Sequence, residues 1–147
     1  MVKDEIIQFL IRAKQATYAG KGAEIASTRP QSHDLFYQEN DYMYYDTYLG
    51  GASFSGEEAL WIGGAPYWSM NYAGRVIGNN FSSDFLKDAL FHVTKEKPFR
   101  GPKNYISGAY TYKCEVNGDF DWFQGYETIC YKEEKIYECY FHGSRLK

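Results

Sequence analysis

The chain repeats itself. Displaced by 68 residues, Tyr42 falls on Tyr110, Tyr44 on Tyr112 and Gly50 on Gly118. One inserted residue makes the displacement 69, and then Phe54 falls on Phe123, Gly56 on Gly125, Glu58 on Glu127 and Gly74 on Gly143. Similar residues fill the gaps: Leu60 with Ile129, Trp68 with Tyr137, Tyr72 with Phe141. A match with a single gap across this length is hard to obtain from aromatic-rich strands by chance. It constrains the fold more than any other feature, because an internal repeat fixes the kind of unit to be built.

Each copy begins with an amphipathic helical stretch. In the first, Ile6, Ile7, Leu10 and Ala13–Lys14 recur at helical spacing between Lys3 and about Tyr18, with Gly20 just beyond. In the second, Ser82 offers an N-cap to a stripe of Phe85, Leu86, Ala89, Leu90 and Val93, stopped by Pro98. Alternating segments follow each helix: 35–37, 42–49, 53–62 and 67–73, then 105–116, 119–131 and 136–142. Gly50-Gly51 and Gly63-Gly64 mark turns, Asn117-Gly118 is the strongest hairpin signal, and residues 132–135 make the last turn. The expectation is an α+β domain of residues 1–147. It is built from duplicated αβββ units, approximately 3–77 and 82–147, as one antiparallel sheet with two helices packed on one face about a pseudo-twofold axis.

Composition narrows the function. A formal net charge of −3 provides no basic footprint, so no nucleic-acid partner is expected of this chain alone. The charged start and the lack of a long apolar run predict no signal peptide and no membrane span. Cys114, Cys130 and Cys139 show no CxxC pairing and read as reduced, buried thiols of a cytoplasmic protein. His33, His92 and His142 show no ligand spacing, so no metal site is expected. No phosphate loop, dinucleotide fingerprint or nucleophile elbow is present, and no cofactor is expected. The 28 aromatic side chains either line a cleft or interface or reflect what strands favour.

The repeated motif is Phe-x-Gly-x-Glu-x-(Leu/Ile). On a strand it sets Glu58 on one face with Phe54, Gly56 and Leu60, and Glu127 likewise with Phe123, Gly125 and Ile129. A carboxylate on an apolar stripe needs a partner or loses its charge. The glycine two residues earlier leaves room for a bulge, a ring or a ligand. If both final hairpins close through four-residue turns, Ile62 pairs with Tyr67 and Tyr131 with Ile136. Trp61, Trp68, Met70 and Tyr72 then face the core, as do Cys130, Tyr137, Cys139 and Phe141. The other face carries Glu58, Ser69 and Asn71, with Glu127, Glu138, Tyr140 and His142. A slip of one residue inverts that assignment.

Glu58 and Glu127 are therefore candidates either for ligand recognition or for a structural role. Asn71, Tyr140 and His142 are candidate neighbours, and Trp61 and Trp68 serve as stacking surfaces or as core. Arg100, in its Pro/Gly loop, binds an anion or pairs with an acidic residue.

The motifs Arg29-Pro-Gln-Ser32, Tyr45-Asp-Thr-Tyr-Leu-Gly-Gly51, Phe54-Ser-Gly-Glu-Glu58, Trp68-Ser-Met-Asn-Tyr72, Phe99-Arg-Gly-Pro102 and Gly118-Asp-Phe-Asp-Trp-Phe-Gln-Gly-Tyr-Glu127 resemble a bacterial family. It is designated only as a domain of unknown function, number 5680. The resemblance spans nearly the whole chain and departs at Gly143-Ser144, where the family tends to have paired glycines. It implies a free-standing protein or the C-terminal part of a regulator with an N-terminal helix-turn-helix, a segment not expected here. A likeness of architecture alone extends to duplicated effector-binding domains of drug-sensing regulators. The leading expectation is a non-catalytic, sensor-like small-molecule-binding domain with an aromatic, glutamate-containing cleft. The alternatives are an enzyme using Glu/His acid–base chemistry and a protein-interaction or dimerisation module. The last predicts a homodimer and a large exposed aromatic patch.

Overall fold

A computed structural model describes residues 2–147. Two helices, α1 (Val2–Ala16) and α2 (Ser83–Phe91), accompany eight strands: β1 (His33–Glu39), β2 (Tyr42–Gly50), β3 (Ser53–Ile62), β4 (Ala65–Val76), β5 (Asn104–Ser107), β6 (Tyr110–Asp119), β7 (Trp122–Tyr131) and β8 (Glu134–Arg145). The strands form one sheet in the order β1-β2-β3-β4-β8-β7-β6-β5. Every neighbouring pair is antiparallel. The α+β class is as the sequence implies, but each helix is followed by four strands rather than three. The stretch 105–116 is broken at Gly108, whose φ of +60° a side chain rarely adopts, into β5 and β6.

The helices form where apolar spacing and caps agree. Ile6, Phe9, Leu10 and Ala13 bury one face of α1, and Phe85, Leu86, Ala89 and Leu90 bury one face of α2. The Ser82 hydroxyl accepts the Phe85 amide at 3.1 Å, as its N-cap position predicts. Helix α2 ends at Phe91, well before Pro98. Asn117-Gly118 lies within β6, opposite Gln124 and Phe123, and the chain reverses at Phe120-Asp121.

Two hairpins decide which residues face the core. Gly63 and Gly64, at φ +58° and +83°, make a two-residue turn that pairs Ile62 with Ala65. A bulge then admits Tyr67 as an extra residue, so Leu60 pairs with Trp68 and Glu58 with Met70. The second hairpin does the same: Tyr131 pairs with Glu134, Ile136 is the extra residue, and Glu127 pairs with Cys139. Relative to four-residue turns, each register is displaced by one residue, which exchanges the faces. Glu58 and Glu127 therefore share the buried face with Trp68, Met70, Tyr137 and Phe141. Trp61 lies edge-on to Tyr45 and is only partly buried, and Cys130 is likewise half-buried.

The motif glycines are required by close approach. A methyl group on Gly125 would lie 2.1 Å from the Phe141 ring, and one on Gly56 would lie 2.6 Å from the Tyr72 hydroxyl. Each aromatic side chain of the partner strand thus lies across a glycine. Since Phe141 is buried and has nowhere to retreat, Gly125→Ala is expected to cost about 1–3 kcal/mol in chemical denaturation. Gly51→Ala, where nothing lies within 4 Å, serves as the near-neutral control.

Candidate functional site

The buried face of the sheet carries two polar clusters. At the first, Glu58 accepts the Lys14 ammonium at 2.7 Å and the Tyr44 hydroxyl at 2.5 Å, and Lys14 also donates to the Phe99 carbonyl at 2.6 Å. At the second, Arg100 meets Glu127 through Nε at 3.1 Å and Nη2 at 2.7 Å. Tyr112 and Tyr137 donate to the same carboxylate at 2.5 and 2.6 Å, and the Gly101 amide donates to the Tyr112 hydroxyl at 2.8 Å. Burial, and then Glu127, push the Tyr112 and Tyr137 hydroxyls far above their ordinary range, so both remain donors. Glu127 thus has every lone pair directed at a donor, which is how a fully buried carboxylate is tolerated.

Between these clusters lies Asp46, five per cent exposed. Its Oδ1 accepts the Tyr72 hydroxyl at 2.5 Å, and Oδ2 has no protein partner among the described residues. Burial first, and then Glu58 opposite it on β3, raise its carboxyl to about 7, against the pull of Tyr72, Arg100 and Lys14. At displacements of 68 and 69 residues, Asp46 falls on Cys114 and Tyr72 on Phe141. Where the first half has a hydrogen-bonded pair, the second has an apolar one.

Asp46 lines an open-mouthed cavity of about 650 Å³ between the sheet, α2 and the loop carrying Arg100. The rings of Tyr18, Tyr48, Phe54, Tyr72 and Phe81 form much of its wall, and His33, Lys87 and the Gly50–Ala52 turn contribute to its lining. The Arg100 guanidinium stacks on Tyr72, 5.1 Å from the ring centre. A cavity of this size, mostly apolar with a few convergent polar groups, is the usual form of a small-molecule site.

The sequence candidates divide between the two faces. Glu58, Glu127 and Trp68 are in the core; Trp68 stacks on Phe120 and donates its N–H to the Phe120 carbonyl at 3.0 Å. Asn71 and His142 are paired neighbours on the outer face. Tyr140 lies on that face too, 62% exposed and packed against Tyr126. The expected cleft of Glu58 and Glu127 with Asn71, Tyr140 and His142 is therefore not formed, because the hairpin registers set the glutamates on the opposite side of the sheet from the other three. Arg100 pairs with an acidic residue, one of its two expected roles. Asp46 and Lys14 were the residues missed. Both carried a signal: Asp46 alternates with Tyr44 and Tyr48, and Lys14 continues the Ile6–Leu10 stripe.

Three cysteines are free, and burial pushes the Cys114 and Cys139 thiols up to about 12, unsuited to a nucleophile. No group of His, Cys, Asp or Glu able to hold a metal occurs among the described residues. No described helix is long and apolar enough to cross a membrane.

Residues 46–146 match the model of the family described as Domain of unknown function (DUF5680). The chain belongs to this family. The DUF5680 match begins at Asp46 itself and takes in Glu58, Tyr72, Arg100 and Glu127, while α1 with Lys14 precedes it. Neither curated proteins nor solved structures supply a match.

Proposed function

We propose that this domain is a non-catalytic small-molecule-binding module whose ligand occupies the cavity floored by Asp46. One observation carries the reading: a carboxyl group five per cent exposed, with one oxygen that no protein group among the described residues bonds, opening on a largely apolar cavity. That oxygen keeps accessible surface toward the cavity, so a ligand donor placed there can take the position of solvent as its partner. Glu58 and Glu127 then act from behind the wall, fixing Lys14 and Arg100, rather than touching ligand.

The two halves are the products of a duplication about a pseudo-twofold axis, supported by the 68- and 69-residue correspondence and by the matched bulges of the two hairpins. On this reading the second half kept the architecture and the first half acquired Asp46 and Tyr72. A sensor role in a bacterial regulatory context, with a helix-turn-helix supplied elsewhere, is consistent with the family resemblance.

The test is a thermal-shift screen with amphipathic compounds of mixed charge, repeated on Ala52→Trp, which places an indole at the lining turn. Compounds that stabilise the wild type are expected to bind the variant at least about tenfold more weakly. A screen without hits, or hits indifferent to the indole, would defeat the proposal.

A second reading is favoured by Asp46 alone. A carboxyl held near neutrality is suited to general acid–base catalysis, and Asp46 would replace the Glu/His pair, since His142 is across the sheet from Glu127. It predicts that a bound compound is chemically altered over time, as mass spectrometry would detect.

A further inference from the structure

Five ionisable side chains, Lys14, Arg100, Asp46, Glu58 and Glu127, are packed at the cavity floor and behind it, none more than 7% exposed. Lys14 is committed to Glu58, and Arg100 to Glu127. Two cations therefore stand against three carboxyl groups, and the odd one is Asp46. Its cross-strand neighbour Glu58 carries the same sign. The other groups that face it are the hydroxyls of Tyr72, Tyr44, Tyr18 and Tyr48, which burial keeps protonated. Lys87 sits with its ammonium over the Tyr18 ring, and His33 is bonded to Glu24. Neither is an ion-pair partner of Asp46.

A buried carboxylate without a counter-ion is strongly disfavoured. Burial and Glu58 favour a proton on Asp46, which removes the imbalance, and a cationic occupant would remove it instead. The aromatic wall suits the same occupant, because ring faces attract cations most when water is excluded. An anion would bring a third negative charge to two cations that are already committed to Glu58 and Glu127.

Resting on the binding reading above, we propose that the cavity takes an organic cation, a protonated amine or quaternary ammonium on an apolar body, seated among Tyr18, Tyr48, Phe54, Tyr72 and Phe81 with its charge against Asp46 Oδ2. Seating it releases the Asp46 proton to solvent, so one positive charge replaces another and the floor stays balanced.

Benzyltrimethylammonium is the probe, since its charge does not titrate. Neopentylbenzene is its neutral isostere, and phenylacetate supplies an anion of similar size. Calorimetric titration is expected to show the cation binding at least about tenfold more tightly than either. Its affinity should rise roughly thirtyfold between about pH 5.5 and about pH 8.5 as Asp46 ionises through about 7. Asp46→Asn, which keeps an acceptor for Tyr72, should weaken the cation at least about tenfold and flatten its pH dependence. Equal or tighter binding of the neutral or anionic compound, unchanged cation binding by Asp46→Asn, or no binding of the cation would each overturn the proposal. Hits of other charge classes in the broad screen, blocked by Ala52→Trp, would show that only the charge preference had failed. A screen with no hits of any class would remove the binding reading itself.

Discussion

Arg100→Met is expected to destabilise the domain by about 3–5 kcal/mol in equilibrium denaturation. The substitution retains most of the apolar stem and removes the guanidinium. Glu127, with no exposed surface, loses the two hydrogen bonds from Nε and Nη2 and its only ion-pair partner among the described residues. Tyr112 and Tyr137 still donate to it, but two neutral hydroxyls do not balance a buried charge. The cost is that of an orphaned charge, not the worth of an ion pair as such. Arg75→Met is the contrast. Arg75 also pairs with a carboxylate, Glu138, at 2.7 Å, yet its own side chain is 63% exposed. Its loss should cost less than about 1 kcal/mol, because water replaces what the ion pair supplied. If both variants fell by the same amount, the distinction between the two faces of the sheet would be mistaken.

The second large effect has the opposite sign. Asp46→Asn is expected to be more stable than the wild type at and above neutral pH, by about 2–4 kcal/mol. The Asp46 carboxyl is raised from its ordinary 3.8 to about 7 in the folded state, chiefly by burial and then by Glu58. Below about pH 4 the group is protonated both folded and unfolded, and its stabilising contribution is fully present. As pH rises toward about 7, the unfolded chain releases the proton first and that contribution is lost. Above about 7 the folded state carries the unpaired charge, and the loss levels off. Asparagine has no charge to lose, so the difference between variant and wild type should be small near pH 4 and greatest above pH 7. Denaturation curves of the two proteins across this range measure it. A gain in stability at Asp46 would mark it as a position kept for function at the expense of the fold.

How much of this was legible in the sequence depended on which interactions are local. The helices were, because caps and apolar spacing are written within a few residues, as at Ser82 and the Phe85–Leu90 stripe. The shared faces within β3 and within β7 were as well, since alternation along one strand needs no partner. Pairing between strands was not. Gly63-Gly64 and Lys132-Glu133 each close a turn two residues shorter than supposed, and each is followed by a bulge. The bulge is set by packing across the sheet and leaves no local mark. One residue of register was enough to move Glu58 and Glu127 from the open face to the core and to leave Trp61 and Cys130 outside it. The repeat directed attention to what the halves share, namely the two glutamates. The more informative position is one where they differ, Asp46 against Cys114, along with the matching change of Tyr72 against Phe141.

The central claim is that ligand binds on the buried side of the sheet, against Asp46. A crystal structure of the domain with the strongest compound from the thermal-shift screen tests it most directly. The account predicts density within the cavity, with a polar atom of the ligand within hydrogen-bond distance of Asp46 Oδ2 and its body against Tyr18, Tyr48 and Phe54. Density on the outer face, beside Asn71, Tyr140 and His142, with the cavity unaltered, would contradict it.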